Sequence, residues 1–586
     1  MKASHLLTII GAGLVLTLPI LIFGIPFLSD DGVKHAVWYV HFSEQLWSGD
    51  LYPRWLFNMN AGLGSPAFFY YPPLPFFLTS LLKPFFSNDP HGWHQLGLSA
   101  SLALIASGFS AYVWLKDLVD QNSALIAGIL YMAMPYHLAA DLYVRGSLSE
   151  YWAFVWIPII LLFTNKIING HRRAAVGLAV SYALLIMTHL PTTLIFSVIP
   201  VCYALLAAST RGKARALGII LSSMTLGIGL SAIYLLPAML TQQYVFLDQM
   251  SAGYFSYENW FLFSKLLMWK EDKARIILLV LDMAGVACSA FVVGRRALET
   301  GFRKVNAFWF SIAAASVFMM TELSKPVWTI FPVLKSIQFP WRFNVVLSVA
   351  TAALLTIAIS SLKARLIASV NIAKMVALLL IVAWIPATVW AAWKSFPQTN
   401  PDRDSINYVK RELEQSRDVP EYWPKWNASM AEINWETSTN EDYWDVQWER
   451  VFETLLQRVG QSEGNQPAVR IVEGTGRVAV NARRPREIDL HVQTTTGALL
   501  IVPQFYYPCW TAHLAGEKTN LTVNPSDPDG LLSVSVPRGD HQVQLRLSQS
   551  KAELAGQLIS LASVIIALSL ILYFRVFSKT LHQTSA

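Results

Sequence analysis

Residues 1–35 read MKASHLLTIIGAGLVLTLPILIFGIPFLSDDGVKH. The stretch opens with an apolar run long enough for a helix to cross a bilayer, which takes about 20 residues. It ends at two adjacent carboxylates, Asp30 and Asp31. The run is too long for a secretory signal and no small-residue cleavage site follows it, so it reads as a retained anchor helix.

The rest of the chain continues in this way. Of its 586 residues 54% are hydrophobic and 14% are charged, against about 25% charged in a soluble domain. Apolar runs near 5–27, 93–116, 122–140, 152–168, 174–190, 192–209, 216–238, 274–294, 306–321, 343–362, 374–393 and 555–575 predict about a dozen spans. The net charge is +7, but the basic residues sit in short clusters between apolar runs, a positive-inside pattern rather than a nucleic-acid surface. Lys166, His171, Arg172 and Arg173 form one cluster, and Arg211, Lys213 and Arg215 a second. Arg295, Arg296, Arg303 and Lys304, then Lys363, Arg365 and Lys374, then Arg575 and Lys579 follow. All fall on the side of the N-terminus, which predicts both termini in the cytoplasm of a bacterial inner membrane. Cys202, Cys288 and Cys509 offer neither a disulfide framework nor zinc-ligand spacing.

The opposite, outer side receives the longer segments 28–92, 141–151, 239–273, 322–342 and 394–554. The last reads as a folded domain. It is helical or irregular and rich in Trp (Trp423, Trp426, Trp435, Trp444, Trp448) to about residue 460. Alternating segments then follow at 469–472, 477–480, 488–492, 498–502, 531–536 and 542–547, with turn signals at Glu473-Gly474, Asp529-Gly530 and Arg538-Gly539. The expectation is a polytopic α-helical membrane protein with a multi-span domain at 1–393. An outer-face α+β domain at 394–554 holds a small antiparallel β-sandwich, and 555–586 forms a final span and tail.

Chemistry concentrates in two outer loops. In the first, Asp31, His35, Trp38 and Phe42 recur at helical spacing and share one face, which puts a carboxylate and an imidazole together at the membrane boundary. Such a carboxylate can deprotonate an acceptor hydroxyl or hold a metal ion; Asp30 and Asp31 are equally suited to capping the helix. Arg54, the Gly62/Gly64 turn and the Tyr-Pro run at 70–75 follow. The second loop, MPYHLAADLYVRGSLSEYWAF, gathers His137, Asp141, Arg145 and Glu150. Arg145 suits a phosphate, or pairs with Asp141 or Glu150 at the surface, where a pair is worth little. His189, in THLPTT, has the position of a helix-end histidine bonded to a backbone carbonyl. Arg342, in QFPWRF, is placed to snorkel or to face a lipid phosphate. Glu258 and Glu322 suggest no role. Walker, GxGxxG, HExxH and CxxC motifs are missing, which argues against soluble nucleotide chemistry and an energy-driven pump.

These segments carry a resemblance. SDDGVKH, LYPRW, AGLGSP, FYYPPL, MPYHLAADLYVRGSLSEYWAF, THLPTT and QFPWRF, in that order over about the first 350 residues, resemble the bacterial membrane proteins labelled 6-pyruvoyl-tetrahydropterin synthase-related. FYYPCWTAHLAG at 505–516 resembles the outer β-domain of YfhO-like membrane proteins. The pterin label brings no chemistry with it, because the histidine zinc set of the soluble synthases has no counterpart here. The architecture is similar to that of the GT-C glycosyltransferases, and this likeness implies a sugar taken from a polyprenyl-phosphate donor lipid and passed to a glycan, lipid or protein acceptor. It implies a catalytic role for Asp31 or Asp30, with His35, Arg54, His137, Asp141, Arg145, Glu150, His189 and Arg342 binding substrate, and it leaves room for a divalent metal. Membrane lipids are expected partners and nucleic acid is not. A lipid or glycan translocase, or a scaffold for envelope assembly, are the competing expectations.

Overall fold

The computed structural model describes residues 2–264, 303–363, 384–396, 403–434, 441–460, 468–516 and 520–583, apart from positions 27, 87 and 387. The span expected at 274–294, most of the one at 374–393, and Cys288 and Trp435 lie outside the described residues.

Among the described residues, seven helical stretches are long and apolar enough to cross a membrane: Trp93–Leu115, Gln121–Val144, Leu148–Ile168, Leu190–Ala207, Lys213–Leu230, Pro340–Ser360 and Lys551–Val576. Others are shorter than the sequence predicts. The first run is divided at Thr17, where Pro19 opens a second helix, Leu18–Phe23. The run at 216–238 is divided at Ser231, whose hydroxyl bonds the carbonyls of Gly227 and Ile228 and so competes with the helix's own hydrogen bonds. The helices divide into an inner and an outer set. Pro340–Ser360 is 83% buried over its most apolar window, whereas Lys551–Val576 is 17% buried and presents Leu558, Leu561, Ile565, Leu568 and Leu572 outward. An apolar helix this exposed needs lipid as its solvent. Close approach inside the bundle rests on small residues: a Cβ on Gly128 would stand 2.9 Å from the Gly108 carbonyl.

The first loop folds back on the bundle instead of projecting from it. Its helix Gly32–Trp47 buries Val33, His35, Ala36, Val37, Trp38, Tyr39 and Phe42, which is the amphipathic stripe seen in the sequence. The aromatic residues 68–77 pack beneath it, with Phe42 and Phe68 rings 4.6 Å apart.

In the C-terminal domain, helices Arg403–Gln415 and Glu441–Val459 precede seven strands: β1 (Arg470–Arg484), β2 (Glu487–Phe505), β3 (Trp510–Leu514), β4 (Asn520–Leu521), β5 (Val523–Pro525), β6 (Leu531–Val536) and β7 (Gly539–Leu547). They form one antiparallel sheet in the order β4-β3-β7-β2-β6-β5, with β1 paired to β2. Among the described residues the strands expected to form a sandwich are hydrogen-bonded into one sheet. Four of the short segments read from the sequence merge into two long strands, because the Gly474 turn signal is a bulge. Gly474 has φ 86° and the β1–β2 register shifts there, as glycine within a strand commonly signals. β2 pairs with β7 through its first half and with β6 through its second. Trp423 closes the core between sheet and helices, its ring 4.8 Å from Phe505 and 4.4 Å from Trp448.

Three charged groups fasten the domain to the membrane part. Glu553, fully buried, accepts from Arg54 of the first loop (3.1 Å) and from Arg486 of the β1–β2 turn (2.7 Å). It also caps its own helix: its carboxylate takes the Ser550 N–H at 2.9 Å while the Ser550 hydroxyl takes the Glu553 N–H at 3.1 Å, a reciprocal capping box.

Candidate functional site

Asp31 precedes the helix Gly32–Trp47, but its side chain makes no capping hydrogen bond. Its position is set instead by the second loop. The Asp31 N–H donates to the Arg145 carbonyl at 2.7 Å, and the Asp30 N–H to the Val144 carbonyl at 3.2 Å. Asp31 Oδ2 lies 3.8 Å from Arg145 Nη2 with 42% of the side chain exposed, and Asp30 is exposed. The turn that brings the loops together is tight. Gly146 has φ 63°, and a Cβ there would stand 2.2 Å from Ser29 Oγ.

Arg145 is held from the other side by buried acids. Its Nη1 is 2.5 Å from Asp141 Oδ1 and 2.6 Å from Glu150 Oε2, and both carboxylates are fully buried. Its guanidinium lies 4.7 Å over the Trp341 ring. A π-helical stretch, Tyr136–Val144, precedes it. Such wide turns bond i to i+5 and recur at functional sites. Here the wide turn presents Tyr136 and Asp141 to the same charges, with the Tyr136 hydroxyl donating to Glu150 Oε1 at 2.6 Å. Arg342 Nε is 3.5 Å from Glu150 Oε2 while Nη1 donates to the Ile337 carbonyl at 2.7 Å. His189 Nε2 is 4.0 Å from Glu150 Oε2; its Nδ1 lies 2.8 Å from the Thr192 hydroxyl, at the start of the next helix. The pairing of Arg145 with Asp141 and Glu150 is present as one of the two sequence expectations has it, but it is buried and not at the surface. Of the side chains of Asp31, Asp141, Arg145, Glu150 and Arg342, that of Asp31 is the one open to solvent.

His35 lies one turn beyond Asp31. Its Nδ1 is 3.0 Å from the Gly146 carbonyl, which can only accept, so Nδ1 carries the proton and Nε2 accepts from the Tyr71 hydroxyl at 3.0 Å. Burial lowers its pKa, against the opposing pull of Asp31, and a neutral ring matches this pattern. His35 thus ties the helix that follows Asp31 to the Gly146 turn and to Tyr71.

Two expected members stand apart. Arg54 belongs to the Glu553 junction, donates to the Ile233 carbonyl at 2.7 Å and stacks over Tyr52. His137 is buried with its ring stacked 3.9 Å from Phe154 and Nδ1 bonded to the Tyr131 carbonyl. Tyr71, Tyr136 and Trp341 join the site although the sequence pattern gives them no role. Tyr71 and Trp341 lie within motifs already noted, but their contacts depend on packing between loops. Among the described residues no group of three or more His, Cys, Asp or Glu side chains is placed to hold a metal ion, and Asp141 and Glu150 are both engaged by Arg145.

No curated relative matches the chain in sequence. Among solved structures, it is similar to the arabinofuranosyltransferase AftD from Mycobacteria, with 15% identity, a TM-score of 0.44, and coverage of 70% of this chain and 29% of that one. It is similar to the Archaeoglobus fulgidus oligosaccharyltransferase, with 13% identity, a TM-score of 0.42, and coverage of 72% and 61%. It is also similar to ArnT from Cupriavidus metallidurans, solved with undecaprenyl phosphate, with 12% identity, a TM-score of 0.31, and coverage of 84% and 98%. The chain spans under a third of the length of AftD. Residues 68–396, more than half of the sequence and the part that contains Arg145, Glu150, His189 and Arg342, match the membrane-protein model described as the 6-pyruvoyl-tetrahydropterin synthase related domain, and the chain belongs to that family.

Proposed function

We propose that the chain is a membrane glycosyltransferase of the GT-C type, with Asp31 as its general base. The observation that carries this reading is the half-exposed Asp31 carboxylate, fixed by a backbone bond to Arg145 and 3.8 Å from that residue's guanidinium. A single positioned base beside cationic groups suits displacement of an anionic leaving group. The acceptor hydroxyl oxygen bonds to the anomeric carbon of the donor and gives its proton to Asp31. The bond from that carbon to the phosphate oxygen breaks, and the electron pair leaves with polyprenyl phosphate. One displacement inverts the anomeric centre. Arg145 Nη2 and Arg342 face the leaving phosphate, and His35 with Tyr71 keeps the loop in place. On this reading the two loops and the 394–554 domain lie outside a bacterial inner membrane, with both termini in the cytoplasm, and the acceptor is an envelope lipid, glycan or protein.

The test uses full-length protein in nanodiscs, undecaprenyl phosphate as binding probe, and synthetic undecaprenyl-phosphate hexoses and pentoses as donors. Asp31→Asn should bind undecaprenyl phosphate as the wild type does and release polyprenyl phosphate about 10²–10⁴-fold more slowly. Asp30→Asn should retain activity. An Asp31→Asn protein with unchanged turnover sinks the base assignment. Wild-type lipid movement across vesicles without sugar release would favour a translocase.

A further inference from the structure

The C-terminal domain reaches the helix that follows Asp31 through a short strap, residues 412–419, laid across the first loop. Asn60 and Ala61 stand at φ 55° and 53°, in the left-handed region that residues with a side chain rarely adopt. Their N–H groups donate to the carbonyls of Ser416 and Gln415 at 2.9 and 2.8 Å, so this turn is held against the strap. Asp418, fully buried, completes the contact. Its Oδ1 accepts from Trp38 Nε1 and from the Val419 N–H, each at 2.8 Å, and its Oδ2 accepts from the Ser65 hydroxyl. Its own N–H donates to Asn60 Oδ1 at 2.8 Å. Burying a carboxylate is costly unless its oxygens are hydrogen-bonded, and here both are. One turn closer to Asp31, Lys34 pairs with Glu412 of the same strap.

The hold on Trp38 is passed on. Its ring lies 4.6 Å from that of Tyr71. The Tyr71 hydroxyl bonds His35 Nε2, and His35 Nδ1 bonds the Gly146 carbonyl, next to the Arg145 carbonyl that takes the Asp31 N–H. A series of hydrogen bonds and one ring contact thus joins Asp418 to the turn that fixes Asp31. Arg145 and Arg342, by contrast, are held by groups of the membrane part: Asp141, Glu150 and the Ile337 carbonyl.

We propose that Asp418 is a positioning residue for the transfer: by fixing Trp38 it sets the helix on which Asp31 stands in the place that attack by the acceptor requires. This rests on the transferase reading above. Asp418 takes no part in the bond changes, and Asp31 alone receives the proton. Because the strap belongs to the C-terminal domain, docking of that domain on the first loop is a condition for turnover.

The experiment uses full-length protein in nanodiscs of phosphatidylethanolamine and phosphatidylglycerol. Synthetic undecaprenyl-phosphate hexoses and pentoses serve as donors, with water and glycerol as acceptors. Asp418→Ala should lower kcat roughly 10–100-fold, the scale of a small misplacement at a reacting centre. It should bind undecaprenyl phosphate as the wild type does, since the cations keep their own partners. Asp418→Asn retains an oxygen for Trp38 Nε1 and should recover most of the turnover. Trp38→Phe keeps a ring and removes the donor; it should slow turnover by itself, and adding Asp418→Ala should cost little more. Should Asp418→Ala fail to fold, the other two single variants decide: an active Asn variant beside a slowed Phe variant supports the role, and two alike overturn it. An active wild type whose kcat is unchanged in Asp418→Ala, or losses that multiply in the double variant, overturn the role of Asp418 alone. Joint loss of thermal stability and undecaprenyl phosphate binding in the Ala and Asn variants marks a structural role and also overturns it. A wild type inactive with every donor overturns the transferase reading and this assignment together.

Discussion

Replacing Arg145 with Met removes the cation from between two fully buried carboxylates. The substitution abolishes the ion pairs at 2.5 Å to Asp141 and 2.6 Å to Glu150. At an effective dielectric near 20, unit charges 2.6 Å apart attract by about 6 kcal/mol. Burying the guanidinium offsets part of this, and breaking a buried pair from one side costs about 3–5 kcal/mol net. For a chain this large that corresponds to a fall of roughly 2–4 °C in Tm. Intrinsic tryptophan fluorescence of the full-length protein in nanodiscs follows the transition, at fixed lipid composition and scan rate. The second arm adds Asp141→Asn and Glu150→Gln to the Arg145→Met protein. With the stranded charges neutralised, more than half of the fall in Tm should be reversed, whereas undecaprenyl phosphate binding should not return. An Arg145→Met protein with the Tm of wild type would refute the buried-pair reasoning. So would a triple variant no more stable than the single one.

Two further outcomes follow from other parts of the structure. Glu553→Gln leaves Arg54 and Arg486 without their carboxylate and weakens the cap of the last span, so unfolding should move down by about 3 kcal/mol or more, with easier proteolysis between the sheet and the final helix; resistance equal to wild type counts against the junction. Burial raises the carboxyl group of Glu421, in the turn Pro420–Tyr422, to a pKa of about 7 where 4.5 is ordinary, so between these values the folded state holds its proton more tightly than the unfolded one. Its contribution to stability is present below about pH 4.5 and is lost as pH rises through 7, so wild-type Tm should fall over that window more steeply than that of Glu421→Gln, and parallel curves would contradict the raised value.

Much of the fold is legible because lipid imposes length on helices: the runs expected at 93–116, 152–168 and 555–575 recur as the helices Trp93–Leu115, Leu148–Ile168 and Lys551–Val576. Helix breaks are harder to see. Thr17 and Ser231 interrupt apolar runs through Pro19 and a back-bonding hydroxyl, and neither changes hydropathy. The strands are legible by alternation, but Gly474 reads as a turn because a glycine in a bulge and a glycine in a hairpin look alike without the partner strand. In the site, Asp31 and His35 stand out on one helical face, and Arg145 with Glu150 by crowding in one loop. Helical spacing cannot show that Asp31 is held through its backbone by residue 145. Nor can it show that Arg54 turns toward Glu553, some 500 residues away. Contacts between distant loops carry no local pattern, which is why Tyr136, Tyr71 and Asp418 emerge only with the packing.

The junction at Glu553 has a consequence for biogenesis. Arg54 is translated some 500 residues before the carboxylate that neutralises it. Until then the loop must keep that guanidinium hydrated or shielded by something else, so its docking waits for the helix of Glu553 to insert. A polypeptide cut short before that helix would display an unmatched cation beside the bilayer, a visible mark on which a membrane protease or chaperone can act.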